Sequence, residues 1–312
     1  MAKIIEIKQP IPALYLTWII NNICTNACDY CPSNVHNGTN HNYDWDHARS
    51  FIEKLFKRYT KINLAISGGE PTISPWFKDL VKMFSDSGHP VGVTTNGART
   101  VSYFEDVSKY LSYVVMSYHP SFEDPQFIEK ALACAKNTST TISVMMDSRH
   151  FDKSVTMYNK LKSYRNINIE AIRVFPWWGG NGTVGCDYTS DQIEFMKNLA
   201  RVEATSPVIP KNPGFIGKGA TVVYDDGTTN HLNAQQLINN KETDFQGWEC
   251  DIGLHSLYIK PEGRVRLANC ITSLFIGWIQ ESDDIQWPTT AFTCKQNTCN
   301  CATDVYVSKR KV

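Results

Sequence analysis

"CTNACDYCP", residues 24–32, holds three cysteines in eight positions, spaced C-x3-C-x2-C, with Tyr30 directly before the last. Thiolates are soft donors suited to zinc, copper(I) or iron–sulfur clusters. A structural zinc site is closed by four ligands, and His36 lies near enough in sequence to supply the fourth. An iron–sulfur cube held by three cysteines instead leaves one iron open to an exogenous ligand. The missing thiolate is then the functional feature.

The motif follows a β-rich run, "ALYLTWII" (13–20), the first of six. The others are "INLAIS" (62–67), "VGVTT" (91–95), "YVVMS" (113–117), "TISVMM" (141–146) and "IEAIRVF" (169–175). Helical patterns over 44–59, 75–87, 101–110, 125–136 and 152–163 separate them, the first with Phe51, Ile52, Leu55 and Phe56 on one face and the second ended by Gly88. Short apolar strands alternating with helices predict a parallel sheet, either open and doubly wound or curved into a partial barrel. In both, loops at the carboxyl ends of the strands form the site. The cysteine motif follows the first strand, "GGEP" (68–71) the second and "NG" (96–97) the third, while His119, His150 and the pair Trp177–Trp178 follow later ones.

The chain has 312 residues, 42% hydrophobic and 20% charged, enough for one large α/β domain with an appendage. Lys+Arg and Asp+Glu are 31 each, so net charge draws it neither to nucleic acid nor to an anionic membrane. Pro10 and Pro12 interrupt the apolar start, no cleavage site follows and no span of about 20 apolar residues occurs. A cytoplasmic protein is expected. Its ten cysteines cluster at two places, which in a reducing compartment points to metal or redox chemistry. After about residue 205 two hairpins are expected, over 221–232 and 255–269, in the region holding Cys250, Cys270, Cys294, Cys299 and Cys301. The expected division is 1–205 and 206–312.

The cysteine spacing with Tyr30, "SGGEP" after strand two, "TTNG" after strand three and the six βα units resemble the radical S-adenosylmethionine superfamily. The resemblance implies a partial (β/α)6 TIM-like barrel and a 4Fe-4S cluster on Cys24, Cys28 and Cys31. Its open iron is chelated by the amino and carboxylate groups of S-adenosylmethionine. Electron transfer then cleaves the C5′–S bond, giving methionine and a 5′-deoxyadenosyl radical that takes a hydrogen atom from substrate. Gly68 and Gly69 permit a close backbone approach, Pro71 fixes the turn, and Glu70 accepts from the methionine ammonium. Thr95, Asn96, Ser117 and Arg173 are candidates for the carboxylate or ribose, and Tyr30 for the adenine. The same strand-end polar groups are equally read as structural hydrogen-bonders, and GGEP and TTNG as turns. Flavodoxin or ferredoxin is the implied electron donor.

The later cysteines resemble the auxiliary-cluster extension of that superfamily, the twitch domain or the longer SPASM domain. Five suffice for one auxiliary 4Fe-4S cluster, on Cys250, Cys270, Cys299 and either Cys294 or Cys301. The tail, Cys294-x4-Cys299-x-Cys301, departs from the C-x2-C or C-x3-C ending of that pattern. A zinc staple is the structural alternative. Cys134 reads as a core residue. Cys186 is either a hydrogen-atom donor to a product radical or an inert loop thiol. The tryptophans either wall a substrate cavity or pack a core, and His119 and His150 either handle substrate or are solvated. The substrate, a small molecule or peptide, is not named by the sequence. Oxidation or crosslinking with electron transfer to the second cluster is expected. The alternatives are a rearrangement of the molybdopterin-precursor kind, disfavoured by the absence of a terminal glycine pair, and a non-enzymatic zinc module. The absence of an extra N-terminal leader-binding domain argues mildly against a self-contained peptide maturase.

Overall fold

The structure is a computed structural model that describes residues 2–38, 43–175, 184–199, 201–214, 219–270, 273–299, 301 and 303–312. Trp177 and Trp178 lie outside the described residues. In chain order the first elements are β1 (Ile4–Lys8), β2 (Leu14–Ile19), α1 (Trp45–Arg58), β3 (Ile62–Ser67), α2 (Phe77–Asp86), β4 (Val91–Thr95) and α3 (Val101–Val107). Then come β5 (Tyr113–Tyr118), α4 (Phe127–Ala135), β6 (Ser139–Met145), α5 (Phe151–Leu161), β7 (Asn168–Ile172) and α6 (Ser190–Lys197). The remainder is β8 (Ala220–Tyr224), β9 (Thr229–Leu232), α7 (Ala234–Asn239), β10 (Glu249–Cys250), β11 (Ser256–Ile259), β12 (Arg264–Arg266), β13 (Phe275–Trp278), β14 (Phe292–Thr293) and β15 (Lys309–Arg310). The six expected βα strands are β2 to β7. Among the described residues no helix is long and apolar enough to cross a membrane.

Two compact units form, one of Ile19–Asn40 with Ile66–Gly214, the other of Met1–Trp18, His41–Ala65 and Phe215–Val312. Packing therefore groups the chain otherwise than a single cut near residue 205. In the first unit β4, β5, β6 and β7 run parallel in that order, with Val93 opposite Val114, Met116 opposite Ile142 and Val144 opposite Ala171. Parallel neighbours need crossovers, and α3, α4 and α5 supply them. Each helix buries one face: Leu80, Val81 and Phe84 from α2, Phe104 from α3, Ala131 and Cys134 from α4, and Tyr158 and Leu161 from α5. Cys134 is thus the core residue that the pattern predicts. Helix α2 stops where expected, at Gly88 in the left-handed region at φ 78°.

In the second unit β1 pairs antiparallel with both β8 and β15, and β10 with β14 and β15. The hairpins β8–β9 and β11–β12 lie where the sequence places them, and β11 runs parallel to β2 with Leu257 opposite Leu16. Asp44 caps α1, accepting from the His47 amide at 3.1 Å.

Gly92 on β4 faces Tyr113 on β5, and a Cβ there would fall inside the buried Tyr113 ring. Gly92→Ala is expected to cost about 1–3 kcal/mol by overpacking. A lower urea midpoint at unchanged m-value is the check.

Candidate active site

Strand β3 leads into Gly68, Gly69 and Glu70, and the chain carrying the cysteines crosses directly over them. The Gly69 amide donates to Asn21 O at 3.0 Å, the Glu70 amide to Ile23 O at 2.7 Å, and Asn21 Nδ2 returns a bond to Glu70 O at 2.8 Å. A Cβ on Gly68 would lie 2.6 Å from Asn21 O, and one on Gly69 would overlap the Ile23 carbonyl. Both glycines are required because the backbone one residue before Cys24 presses against them.

Glu70 is fully buried. Its Oε1 accepts from the Thr72 amide at 3.0 Å, Thr72 Oγ1 at 2.5 Å and Thr95 Oγ1 at 2.7 Å, while Oε2 accepts from the Asn96 amide at 2.6 Å. Pro71 opens the single 3-10 turn that follows. This carboxylate therefore binds the end of β3 to the end of β4 and does not reach the cavity wall.

Cys24, Cys28 and Cys31 line a cavity of about 160 Å³ together with His36, Ser67, Gly68, Gly69, Thr95, Asn96, Ser117 and His119. Burial pushes the Cys24 thiol pKa up. A hydrogen bond with Cys31 and burial raise that of Cys28, and the same bond lowers that of Cys31. Cys24 Sγ accepts from the Asn26 amide at 3.4 Å and from Asn96 Nδ2 at 3.5 Å. Asn96 Oδ1, by contrast, is a buried acceptor with no hydrogen-bond partner among the described residues. Among those residues no three His, Cys, Asp or Glu are grouped as a single-ion site. Three thiols lining one cavity are a donor set that fits a thiolate-bound iron–sulfur group.

Several expected residues stand elsewhere. Tyr30 is buried beside Cys28, Met145 and Val174, its hydroxyl 2.7 Å from His119 Nδ1, and Cys28 Sγ is 3.4 Å from the same nitrogen. The Tyr30 and His119 rings stack at 6.0 Å, and burial pushes the His119 pKa down to about 4, so the imidazole is neutral at pH 7. Cys186 packs against this cluster rather than on the cavity wall. Arg173 is exposed just beyond β7, its guanidinium 5.3 Å from the Phe175 ring and 5.2 Å from that of Tyr188. His150 sits at the start of α5. The sequence reading missed Arg149, which binds Asp29 of the cysteine motif at 2.8 Å and Asp147 at 2.8 Å. Burial raises the Asp147 pKa but the guanidinium outweighs it, leaving it below the usual carboxylate range. Its signal was a D-x-R immediately after a βα strand.

In the other unit, Cys250, Cys270, Cys294 and Cys299 line a cavity of about 20 Å³ with Phe245, Ile252, Phe292, Gln296, Asp304 and Lys309. Cys250 ends β10, and β14 delivers Cys294 next to it: Cys250 opposes Phe292, and the Cys294 amide donates to Trp248 O at 2.8 Å. The Cys299 amide donates to Thr243 O at 2.9 Å. Cys301 is off this wall, its sulfur 3.8 Å from Asn269 Nδ2. Burial pushes the Cys250 pKa to about 11 and that of Cys299 to about 12, with Lys309 opposing both.

The fold and the site together define an α/β protein whose strand ends surround a three-thiol cavity. Residues 18–168, just under half of the chain, match the radical SAM superfamily and mark a radical SAM domain. A search of curated proteins returned no sequence match. Among solved structures, SuiB of Streptococcus suis bound to S-adenosylmethionine aligns with TM-score 0.58 at 11% identity, over 89% of this chain and 66% of that one. SuiB bound to the precursor peptide SuiA gives 0.52 at 11% identity, over 82% and 59%. Native anSMEcpe with bound AdoMet and the Cp18Cys peptide gives 0.51 at 14% identity, over 95% and 94%. The chain thus spans just under two thirds of SuiB's length in the S-adenosylmethionine complex, and the likenesses establish the fold, an α/β partial barrel.

Gly69→Ala is expected to displace the Asn21–Ile23 backbone and so remove at least about half of the iron held by Cys24, Cys28 and Cys31 after anaerobic reconstitution. Gly88→Ala, with nothing within 4 Å of its added Cβ, should cost only about 1 kcal/mol of stability and no iron. Iron analysis of both variants is the measurement.

Proposed function

We propose that the protein is a radical SAM enzyme that oxidises or crosslinks a peptide or small-molecule substrate in the cytoplasm, drawing electrons from a flavodoxin or ferredoxin. The observation that carries this is the cavity lined by Cys24, Cys28 and Cys31 together with Asn96 and Ser117. When bound there, a 4Fe-4S cluster and S-adenosylmethionine supply a 5′-deoxyadenosyl radical for hydrogen abstraction. Cys24, Cys28 and Cys31 would hold the cluster. Asn96 and Ser117, which both line that cavity, would bind the methionine carboxylate or the ribose. Glu70 works one step back, fixing Thr95 and Asn96 rather than touching the ligand. Tyr30 likewise acts through His119, and Arg173 is left for substrate or surface contacts. Cys186, half-buried against Tyr30, remains a hydrogen-atom donor only if the loop opens it to the cavity.

Cys250, Cys270, Cys294 and Cys299 hold one auxiliary 4Fe-4S cluster in this reading, and Cys301 does not. Four thiols round one small apolar cavity support it. A fully ligated cluster suits acceptance of an electron on substrate oxidation better than anchoring a substrate for rearrangement. Peptides bound by the two similar structures, SuiA in SuiB and Cp18Cys in anSMEcpe, favour a peptide substrate. His36 on the cavity wall is what speaks for one second reading, a closed zinc site of three cysteines and a histidine, although no such single-ion grouping stands among the described residues.

Anaerobically reconstituted protein should hold about eight irons with matching sulfide, two cubes' worth. Given strong reductant, it should release methionine and 5′-deoxyadenosine from S-adenosylmethionine. Serine at Cys24, Cys28 or Cys31 should slow that cleavage by more than the roughly 100-fold typical of losing a metal site's outer-shell partner. Zinc without sulfide would establish the second reading. Cys294→Ser should lose the auxiliary irons, whereas Cys301→Ser should keep them.

A further inference from the structure

The chain ends "VSKRKV" (307–312), a basic tail that reads as a solvated surface. Arg310 and Lys311 are exposed, and Arg310 pairs with Glu249. Lys309 is the exception, at 2% exposure. Strand β15 pairs antiparallel with β10 so that Lys309 stands directly opposite Cys250, which puts both side chains on one face of the ladder. That face is the wall of the four-cysteine cavity.

The ammonium donates to Asp304 O at 3.0 Å and Val305 O at 2.9 Å and stands 4.8 Å from the Phe245 ring centroid. These partners offer partial charges only. A buried ammonium without an anion is costly, and an isolated one tends to neutralise. The Asp304 carboxyl, 6% exposed on the same cavity wall, accepts instead from the Asn269 amide at 3.0 Å. No ion pair to Lys309 is found among the described residues within 4.0 Å. Beyond Asp304, the groups of its cavity that can balance it are the thiols.

We propose that Lys309 is a built-in countercharge for a net-anionic metal–thiolate centre on Cys250, Cys270, Cys294 and Cys299, and that it raises the reduction potential of the iron–sulfur cluster held there. The inference rests on the auxiliary-cluster reading above. A four-thiolate cluster carries a net negative charge that grows by one on reduction. A fixed cation at the wall of a poorly solvated cavity therefore stabilises the reduced form more than the oxidised one. Lys309 is a positioning and tuning residue, since it touches no substrate.

The test uses the full chain with Cys24, Cys28 and Cys31 all changed to serine, so that only the C-terminal site loads iron. Its midpoint potential is followed by electron paramagnetic resonance in an anaerobic redox titration, alongside Lys309→Met and Lys309→Arg in the same background. Lys309→Met should bind iron and sulfide but disfavour reduction at least tenfold, a downward shift of about 59 mV for one electron. Lys309→Arg should stay within about threefold of the parent. Loading of iron by the Arg variant but not by Met would equally support a required charge. A Met variant that keeps its cluster with less than a threefold change overturns the inference, as does failure of both variants to load iron, which assigns Lys309 to packing. A parent that binds no iron and sulfide at all overturns the auxiliary-cluster reading itself, a result separate from the other two.

Discussion

Everything at the N-terminal cavity depends on one buried carboxylate. Glu70 is shut off from solvent, so its carboxyl is tolerable there only because Thr72, Thr95 and the Asn96 amide turn their donors toward it. Those donors come from the turn after β3 and from the end of β4. Satisfying one buried carboxyl therefore fixes the relative position of two strand ends, and with it the backbone of Asn96. The glycines beside Glu70 transmit the same constraint to the metal motif: with no Cβ to hold it off, the Asn21–Ile23 backbone docks on them, and Cys24 follows one residue later. The far end of the motif is pinned separately, by Arg149 between Asp29 and Asp147.

This explains why the motifs were legible while several residue roles were not. Period and punctuation mark strands β2 to β7 because each is short, apolar and bounded by turn residues, and the glycines at 68 and 69 have a backbone reason that survives without any ligand. The direction in which a side chain leaves its loop is set by packing instead. Tyr30 reads as a cavity residue from its place beside Cys31, yet it packs with Met145 and Val174, more than a hundred residues away. Arg173 continues the pattern of β7 but falls one residue past its end and stacks on Tyr188. Strand β1 was obscured by Pro10 and Pro12 and by partners, β8 and β15, from the opposite end of the chain. The tail spacing left Cys294 and Cys301 equivalent, and only the pairing of β14 with β10 puts Cys294 on the wall.

The two cysteine sites differ in the two quantities that govern metal chemistry, space and charge. The first has three thiols, about 160 Å³ of room and walls of hydroxyl, amide and neutral imidazole. It has soft sulfur donors and room beside them. The second has four thiols round about 20 Å³, aromatic and aliphatic walls and one buried ammonium. With so little room and so apolar a lining, a metal group there is enclosed by protein, and its charge must be met from within the fold. A chain that merely needed two staples would have no reason to build them differently. An open three-thiol cavity and an enclosed four-thiol one with a buried ammonium are the arrangement expected under the proposed function, in which one metal group would start a radical reaction and the other would handle the electron at its end.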